Sequence, residues 1–106
     1  MIQNADALSV KHILDTEKDY RLIDVREKWE YEYVKIEGSE NIPLSTFADN
    51  YNKLLPDDKL ILYCHHGSRS YQACSFLVRN GFKNVINLDG GIDAWSDVVD
   101  PSLDKY

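Results

Sequence analysis

Lys59-Leu60-Ile61-Leu62-Tyr63-Cys64-His65-His66-Gly67-Ser68-Arg69-Ser70 passes within twelve residues from an apolar run to a polar, glycine-containing loop and then toward a helix. Lys59-Leu60-Ile61-Leu62-Tyr63 is short, aliphatic and bounded by polar residues, the signature of a buried strand. Ser70 is a suitable cap for the helix that follows, with Ala73, Phe76, Leu77 and Asn80 on one face before Gly81. Asn80-Gly81 then stops that helix, because glycine accepts the left-handed conformation.

The same alternation extends in both directions. Arg21-Leu22-Ile23-Asp24-Val25 and Asn84-Val85-Ile86-Asn87-Leu88 read as two more buried strands. Glu40-Asn41-Ile42 is a weaker extended piece, stopped by Pro43. Ser9 could cap a helix carrying Val10, Ile13 and Leu14 at i, i+3 and i+4. Ser45 could cap another, with Phe47, Tyr51, Leu54 and Leu55 on one face and Pro56 at its end. Ile92-Asp93-Ala94-Trp95 after Gly90-Gly91 suggests a short last helix, and Pro101 to Tyr106 a tail. Strands alternating with helices imply βαβ units, a parallel sheet covered on both faces, and chemistry at the carboxyl ends of the strands.

Composition sets the class. A chain of 106 residues suits one domain, residues 1–106, with a C-terminal tail from about 98 to 106. Eighteen acidic against 12 basic side chains, a net charge of -6, argue against a nucleic-acid or anionic-membrane partner. A 43% hydrophobic content is too high for general disorder. The two cysteines cannot make a disulfide framework. Met1-Ile2-Gln3-Asn4-Ala5-Asp6 lacks the basic and apolar regions of a secretory signal, and no run is long enough to span a membrane. A reducing cytoplasm is the expected compartment.

In that compartment a free thiol serves either packing or chemistry. Cys64 arrives at the carboxyl end of a strand, ahead of a helix whose first free amides point back at it. A helix N-terminus carries roughly half a positive charge and unpaired N–H donors, which favour thiolate over thiol. Arg69 is expected to add a fixed positive charge, and Gly67 to let the loop amides converge into an anion-binding nest. The alternative, a small buried hydrophobe, suits Cys74 better, on a helix beside Ala73 and Leu77. Cys74 could otherwise act as a resolving thiol. Cys64, His65, His66 and Cys74 lack the spacing of a zinc site, so no metal is expected.

The chain resembles the rhodanese family of sulfurtransferases. The resemblance rests on five blocks in order: Leu22-Ile23-Asp24-Val25-Arg26-Glu27 with Glu30-Tyr31 after it, Asn41-Ile42-Pro43-Leu44, the loop Cys64 to Ser70, Gly81-Phe82-Lys83-Asn84-Val85, and Leu88-Asp89-Gly90-Gly91-Ile92-Asp93-Ala94-Trp95. It implies a three-layer α/β fold, with a central, mostly parallel sheet of about five strands and helices on both faces. It also implies that Cys64 carries the sulfur, with no cofactor. The departures are Val34-Lys35-Ile36, where the family usually has Gly-His-Ile, and Ser39 after the turn at Gly38.

Phosphatases and arsenate reductases use a similar thiolate on related folds. Four residues separate Cys64 from Arg69 here, one fewer than in those phosphatases, which suits a single sulfur better than a tetrahedral oxyanion. The expected activity is thiosulfate sulfurtransferase, through a Cys64 persulfide lodged among His65, His66, Gly67, Ser68, Arg69 and Ser70. The donor would be thiosulfate or a persulfide, and the acceptor a thiol, cyanide or a sulfur-carrier protein. A persulfide carrier or interaction module with little turnover is the alternative. His65 and His66 either polarise the donor or serve only as an exposed, solubilising pair.

Three further groups stand out. Arg26 and Glu30, four apart, could pair if helical. Asp24 could hydrogen-bond loop amides near the cradle. Trp29, Tyr31 and Tyr33 form an aromatic cluster that either packs over the sheet edge or docks a partner. Val99-Asp100-Pro101-Ser102-Leu103 with Tyr106 resembles the end of rhodanese domains fused to enzymes that activate ubiquitin-like sulfur carriers. That likeness implies a sulfur-carrier protein as acceptor.

Overall fold

A computed structural model describes residues 2–106. Five parallel strands form one sheet: β1 (Ile2–Ala5), β2 (Tyr20–Asp24), β3 (Glu40–Asn41), β4 (Lys59–Tyr63) and β5 (Asn84–Leu88), in the spatial order β1-β5-β4-β2-β3. The helices are α1 (Ala7–Thr16), α2 (Lys28–Tyr33), α3 (Phe47–Asn50), α4 (Ser68–Arg79) and α5 (Gly91–Val98). This is the α/β sheet, helix-covered on both faces, that the alternating pattern predicts.

The period of two along β4 divides the core. Leu60, Leu62 and, just past the strand, Cys64 face a layer with Phe47 of α3 and Ala73, Cys74 and Leu77 of α4. Ile61 and Tyr63 face the opposite layer with Ala7 and Val10 of α1 and Ile92 and Trp95 of α5. All of these β4 residues are at most 1% exposed, as expected for the central strand of a doubly covered parallel sheet.

Several predicted boundaries shift for local reasons. The strand β1 carries no apolar run, Ile2-Gln3-Asn4-Ala5, and sits at a sheet edge beside β5, so nothing in its sequence marks it. Asp6, rather than Ser9, caps α1: its Oδ1 accepts the Ser9 N–H at 2.9 Å. The helix α4 starts at Ser68 behind Gly67, which stands at φ +109°, so Ser70 lies inside the helix with its hydroxyl turned to the site. The single helix expected after Ser45 breaks into a 3-10 turn (Leu44–Thr46), the short α3 and a second 3-10 turn (Tyr51–Lys53). There Ser45 Oγ donates to Glu27 at 2.9 Å instead of capping, and the Asn50 amide donates back to the Thr46 carbonyl at 3.0 Å.

The segment where the family pattern is weakest is nevertheless packed. Val34 and Ile36 are buried, and the Ser39 hydroxyl and the Ile36 N–H both engage the Tyr63 hydroxyl, at 2.9 and 3.1 Å. Among the described residues no helix is long and apolar enough to cross a membrane.

Candidate active site

The central strand β4 ends at Tyr63, and Cys64 follows with only 1% of its surface exposed. Three donors converge on its Sγ: the Gly67 N–H at 3.1 Å, the Ser70 N–H at 3.3 Å and the Ser70 hydroxyl at 3.4 Å. The amides at the start of α4 thus point at sulfur, the arrangement that stabilises a sulfur anion. Gly67 is needed here twice over. Its φ of +109° lies in the glycine region, and a Cβ would approach the Gly90 N at 3.2 Å.

The cradle is braced from β5. The Asn87 amide donates to Asn4 Oδ1 at 3.0 Å and to the Gly67 carbonyl at 3.2 Å. Its Oδ1 lies 2.5 Å from Ser70 Oγ. The Ser70 hydroxyl has one proton and three acceptors in reach, namely Asn87 Oδ1, the Gly67 carbonyl and Cys64 Sγ. It therefore donates to sulfur only at the expense of the other two. Asn87 and Asn4 carried no signal in the sequence beyond their polarity inside or beside strands.

A second brace comes from α5. Its first free amides do not point at sulfur. The Ile92 N–H donates to the Cys64 carbonyl at 2.9 Å and the Asp93 N–H to the His65 carbonyl at 3.1 Å. This fixes the backbone of Cys64 and His65 from the side of α5.

The charges fall differently from the expectation. The Arg69 guanidinium is not free above the sulfur: it forms a bidentate pair with Glu30, at 2.8 and 3.0 Å. That pair holds Arg69 above its ordinary value against the opposing effect of burial. Burial alone would raise the Glu30 carboxyl, but Arg69, the Tyr106 hydroxyl and the Glu27 N–H outweigh it and hold Glu30 at about 2. Nor do Arg26 and Glu30 pair. Arg26 turns to Asp24, with Nε 3.0 Å from Oδ1 and NH2 2.7 Å from Oδ2, both side chains fully buried. Asp24 accepts the Arg26 N–H at 2.9 Å and reaches no cradle amide.

The loop histidines stack. His65 lies face to face with His66, centroids 3.9 Å apart, and with Tyr106 on its other side, at 4.0 Å and 7° between planes. Burial, and then the neighbouring His66, push the His65 imidazole below its ordinary value. Among the described residues His65, His66 and Asp93 have ligand atoms within 4.8 Å of one another. Asp93 is paired with Lys105 at 2.9 Å. Of the aromatic cluster on α2, Trp29 and Tyr33 remain exposed and edge-on to Tyr106, each at 6.0 Å, while Tyr31 donates to the Ser39 carbonyl at 2.7 Å.

Cys74 lies on the buried face of α4, and burial pushes its thiol up to about 12. The two free cysteines should therefore separate chemically. In the folded protein at pH 8, iodoacetamide is expected to modify Cys64 alone, and in 6 M guanidinium both (about 6 M suffices to unfold all but hyperstable domains). Mass spectrometry of the intact protein and its peptides reads the result. Equal labelling of Cys74 in the folded state would show that the donors on Cys64 Sγ do not set the two thiols apart.

This sulfur in a cradle of amides lies at the carboxyl end of the central strand of a parallel α/β sheet, where such folds place their ligands. The rhodanese-like domain family matches residues 6–98, and the chain belongs to that family. It is 32% identical over 96 residues to a sulfurtransferase of Allochromatium vinosum, covering 91% of this chain and 90% of that protein. It is 32% identical over 93 residues to a thiosulfate sulfurtransferase of Pseudoalteromonas translucida, covering 88% of each. A crystal structure of a rhodanese-related protein from Thermoplasma volcanium superposes with a TM-score of 0.81 at 33% identity, covering 90% of this chain and 91% of that one. Other relatives are longer, and the chain spans 30% of one and 24% of another.

Proposed function

We propose that this protein is a thiosulfate sulfurtransferase that works by double displacement through a Cys64 persulfide. The observation that carries the reading is the convergence of the Gly67 and Ser70 donors on Cys64 Sγ, within 3.1–3.4 Å. Sulfur transfer in general is what the family and its named relatives support.

The Cys64 thiolate attacks the outer sulfur of thiosulfate. A new S–S bond forms as the S–S bond of the donor breaks, and sulfite leaves with the bonding pair. The terminal sulfur of the persulfide then carries the negative charge, which the loop amides of residues 65 to 70 stabilise as oxyanion-hole donors do. A thiolate or cyanide attacks that terminal sulfur, and Cys64 leaves again as thiolate. No general base is required, because both nucleophiles are anions. His65, His66, Gly67, Ser68, Arg69 and Ser70 form the binding surface. His65, its imidazole pushed below its ordinary value by burial and wedged between two rings, shapes the loop. Two free cysteines without a disulfide suit a reducing compartment, the cytoplasm. A sulfur-carrier protein fits as acceptor in place of a small thiol.

Intact mass after incubation with thiosulfate tests this reading. Wild type should gain one sulfur atom, removable by cyanide. Cys64→Ser should gain none, and Cys74→Ser should match wild type. An adduct without turnover to cyanide would indicate a persulfide carrier. No adduct, or turnover of an aryl phosphate, would overturn the proposal.

A further inference from the structure

Glu30 is a nearly buried carboxylate, its side chain 5% exposed, with four donors. Oε1 accepts the Glu27 N–H at 3.0 Å and Arg69 NH1 at 2.8 Å. Oε2 accepts Arg69 NH2 at 3.0 Å and the Tyr106 hydroxyl at 2.6 Å. Two of these four belong to Arg69, whose side chain is one-third exposed and stands on the first turn of the helix that points at Cys64. The other two are fixed. The Glu27 amide is the N-cap backbone donor of the α2 capping box. Tyr106 is held on three sides: by Arg26 NH1, donating to its oxygen at 2.8 Å, by the stacked His65 ring, and by the edges of Trp29 and Tyr33.

A buried carboxylate cannot lose its only cation without a large desolvation cost. Glu30 can lose Arg69, because the Glu27 N–H and the Tyr106 O–H would still accompany each oxygen. The Arg26 guanidinium on the Tyr106 oxygen polarises that hydroxyl and makes it a stronger donor. Arg26 itself cannot follow, being locked on Asp24 in the core.

We infer that Tyr106 is a positioning residue that allows Arg69 to move between Glu30 and the anionic end of a sulfur donor placed over Cys64. The inference rests on the sulfur-transfer reading for its substrate, a sulfonate-type dianion. The planar guanidinium matches two oxygens of that group as it matches the two of Glu30. When sulfite has formed, Glu30 competes for Arg69 again and helps the product leave. Glu30 and Tyr106 together set how firmly the donor is held.

The test compares two alkylating agents on the same sulfur. Iodoacetate carries a carboxylate, and iodoacetamide is its neutral counterpart. Changes in thiol reactivity or in loop order affect both and cancel in the rate ratio at Cys64, so only an anion receptor moves the ratio. Arg69→Gln should lower the iodoacetate-to-iodoacetamide ratio about tenfold, the size of one charge-assisted hydrogen bond. Tyr106→Phe keeps the ring but removes the hydroxyl, so Arg69 stays on Glu30 and the ratio should fall about three- to fivefold. Glu30→Gln should raise the ratio, and Glu30→Gln with Tyr106→Phe should match Glu30→Gln alone. With thiosulfate, Tyr106→Phe should raise KM more than it lowers kcat. An unchanged ratio in Arg69→Gln, or in Tyr106→Phe, would overturn the inference, as would a double variant that behaves like Tyr106→Phe. Alkylation requires no sulfur transfer. A protein that forms no persulfide yet shows these ratios would refute the proposed function and leave the Arg69 movement standing.

Discussion

Gly91→Ala is expected to destabilise the fold by about 2–4 kcal/mol, from left-handed strain plus the weakening of two backbone hydrogen bonds. Gly91 opens α5 at φ +61°, and a Cβ there would lie 2.4 Å from the His65 carbonyl oxygen and 2.5 Å from that of Cys64. Both neighbours are backbone, and neither can swing away as a side chain would. They are also the acceptors of the Ile92 and Asp93 amides, so relieving the clash means pulling α5 off the loop behind Cys64. Gly38→Ala supplies the control. Gly38 has a similar φ of +86° but nothing within 4 Å of its would-be Cβ. It should cost about 1 kcal/mol of conformational strain alone. Urea midpoints of the two variants read the difference. If Gly91→Ala were no worse than Gly38→Ala, the close approach would contribute nothing.

Arg26→Met is expected to cost about 3–5 kcal/mol, the loss typical of removing one partner from a buried ion pair. Against a typical domain stability of about 5–15 kcal/mol this brings the protein near its unfolding threshold. Arg26 is fully buried, and besides Asp24 it serves the Val34 carbonyl and the Tyr106 hydroxyl. Its loss leaves the Asp24 carboxylate buried without its cation and the Val34 carbonyl without its donor. Burial works against the Arg26 charge, but the hydrogen bonds to Asp24 and Tyr106 outweigh it and keep the guanidinium above its ordinary value. The pair is therefore a requirement of the fold once either member is present. The double variant Asp24→Leu with Arg26→Met should recover part of the loss, because removing both charges removes the desolvation cost along with the attraction. Thermal melts at neutral pH measure both. A double variant less stable than Arg26→Met would show that Asp24 stabilises the fold apart from the ion pair, through the residue-26 N–H that it accepts.

Much of this architecture is written in local pattern. The runs at 21–25, 59–63 and 84–88 fall on three of the five strands, and the glycine after Asn80 stops α4 as its left-handed φ of +89° requires. The strand β1 escapes such reading because an edge strand needs no apolar run. The 44–53 segment escapes because short polar side chains there bond to their own backbone and divide the helix. Capping by Asp6 rather than Ser9 shifts a boundary without touching the buried face.

The sequence by itself determined where Cys64 lies: a strand with alternating faces must end somewhere, and Cys64 stands at that end ahead of Gly67 and a helix. It could not determine what surrounds the sulfur. Glu30 lies 39 residues from Arg69 and 76 from Tyr106, and Asn87 lies 17 from Ser70. The strand order decides these meetings, by setting β5 on one side of β4 and β2 on the other. Periodicity reports only which face of an element is buried. Which buried polar group completes another depends on the elements that pack together. For that reason Arg69, read from its neighbours as a cation for the sulfur, is held instead by a carboxylate from α2.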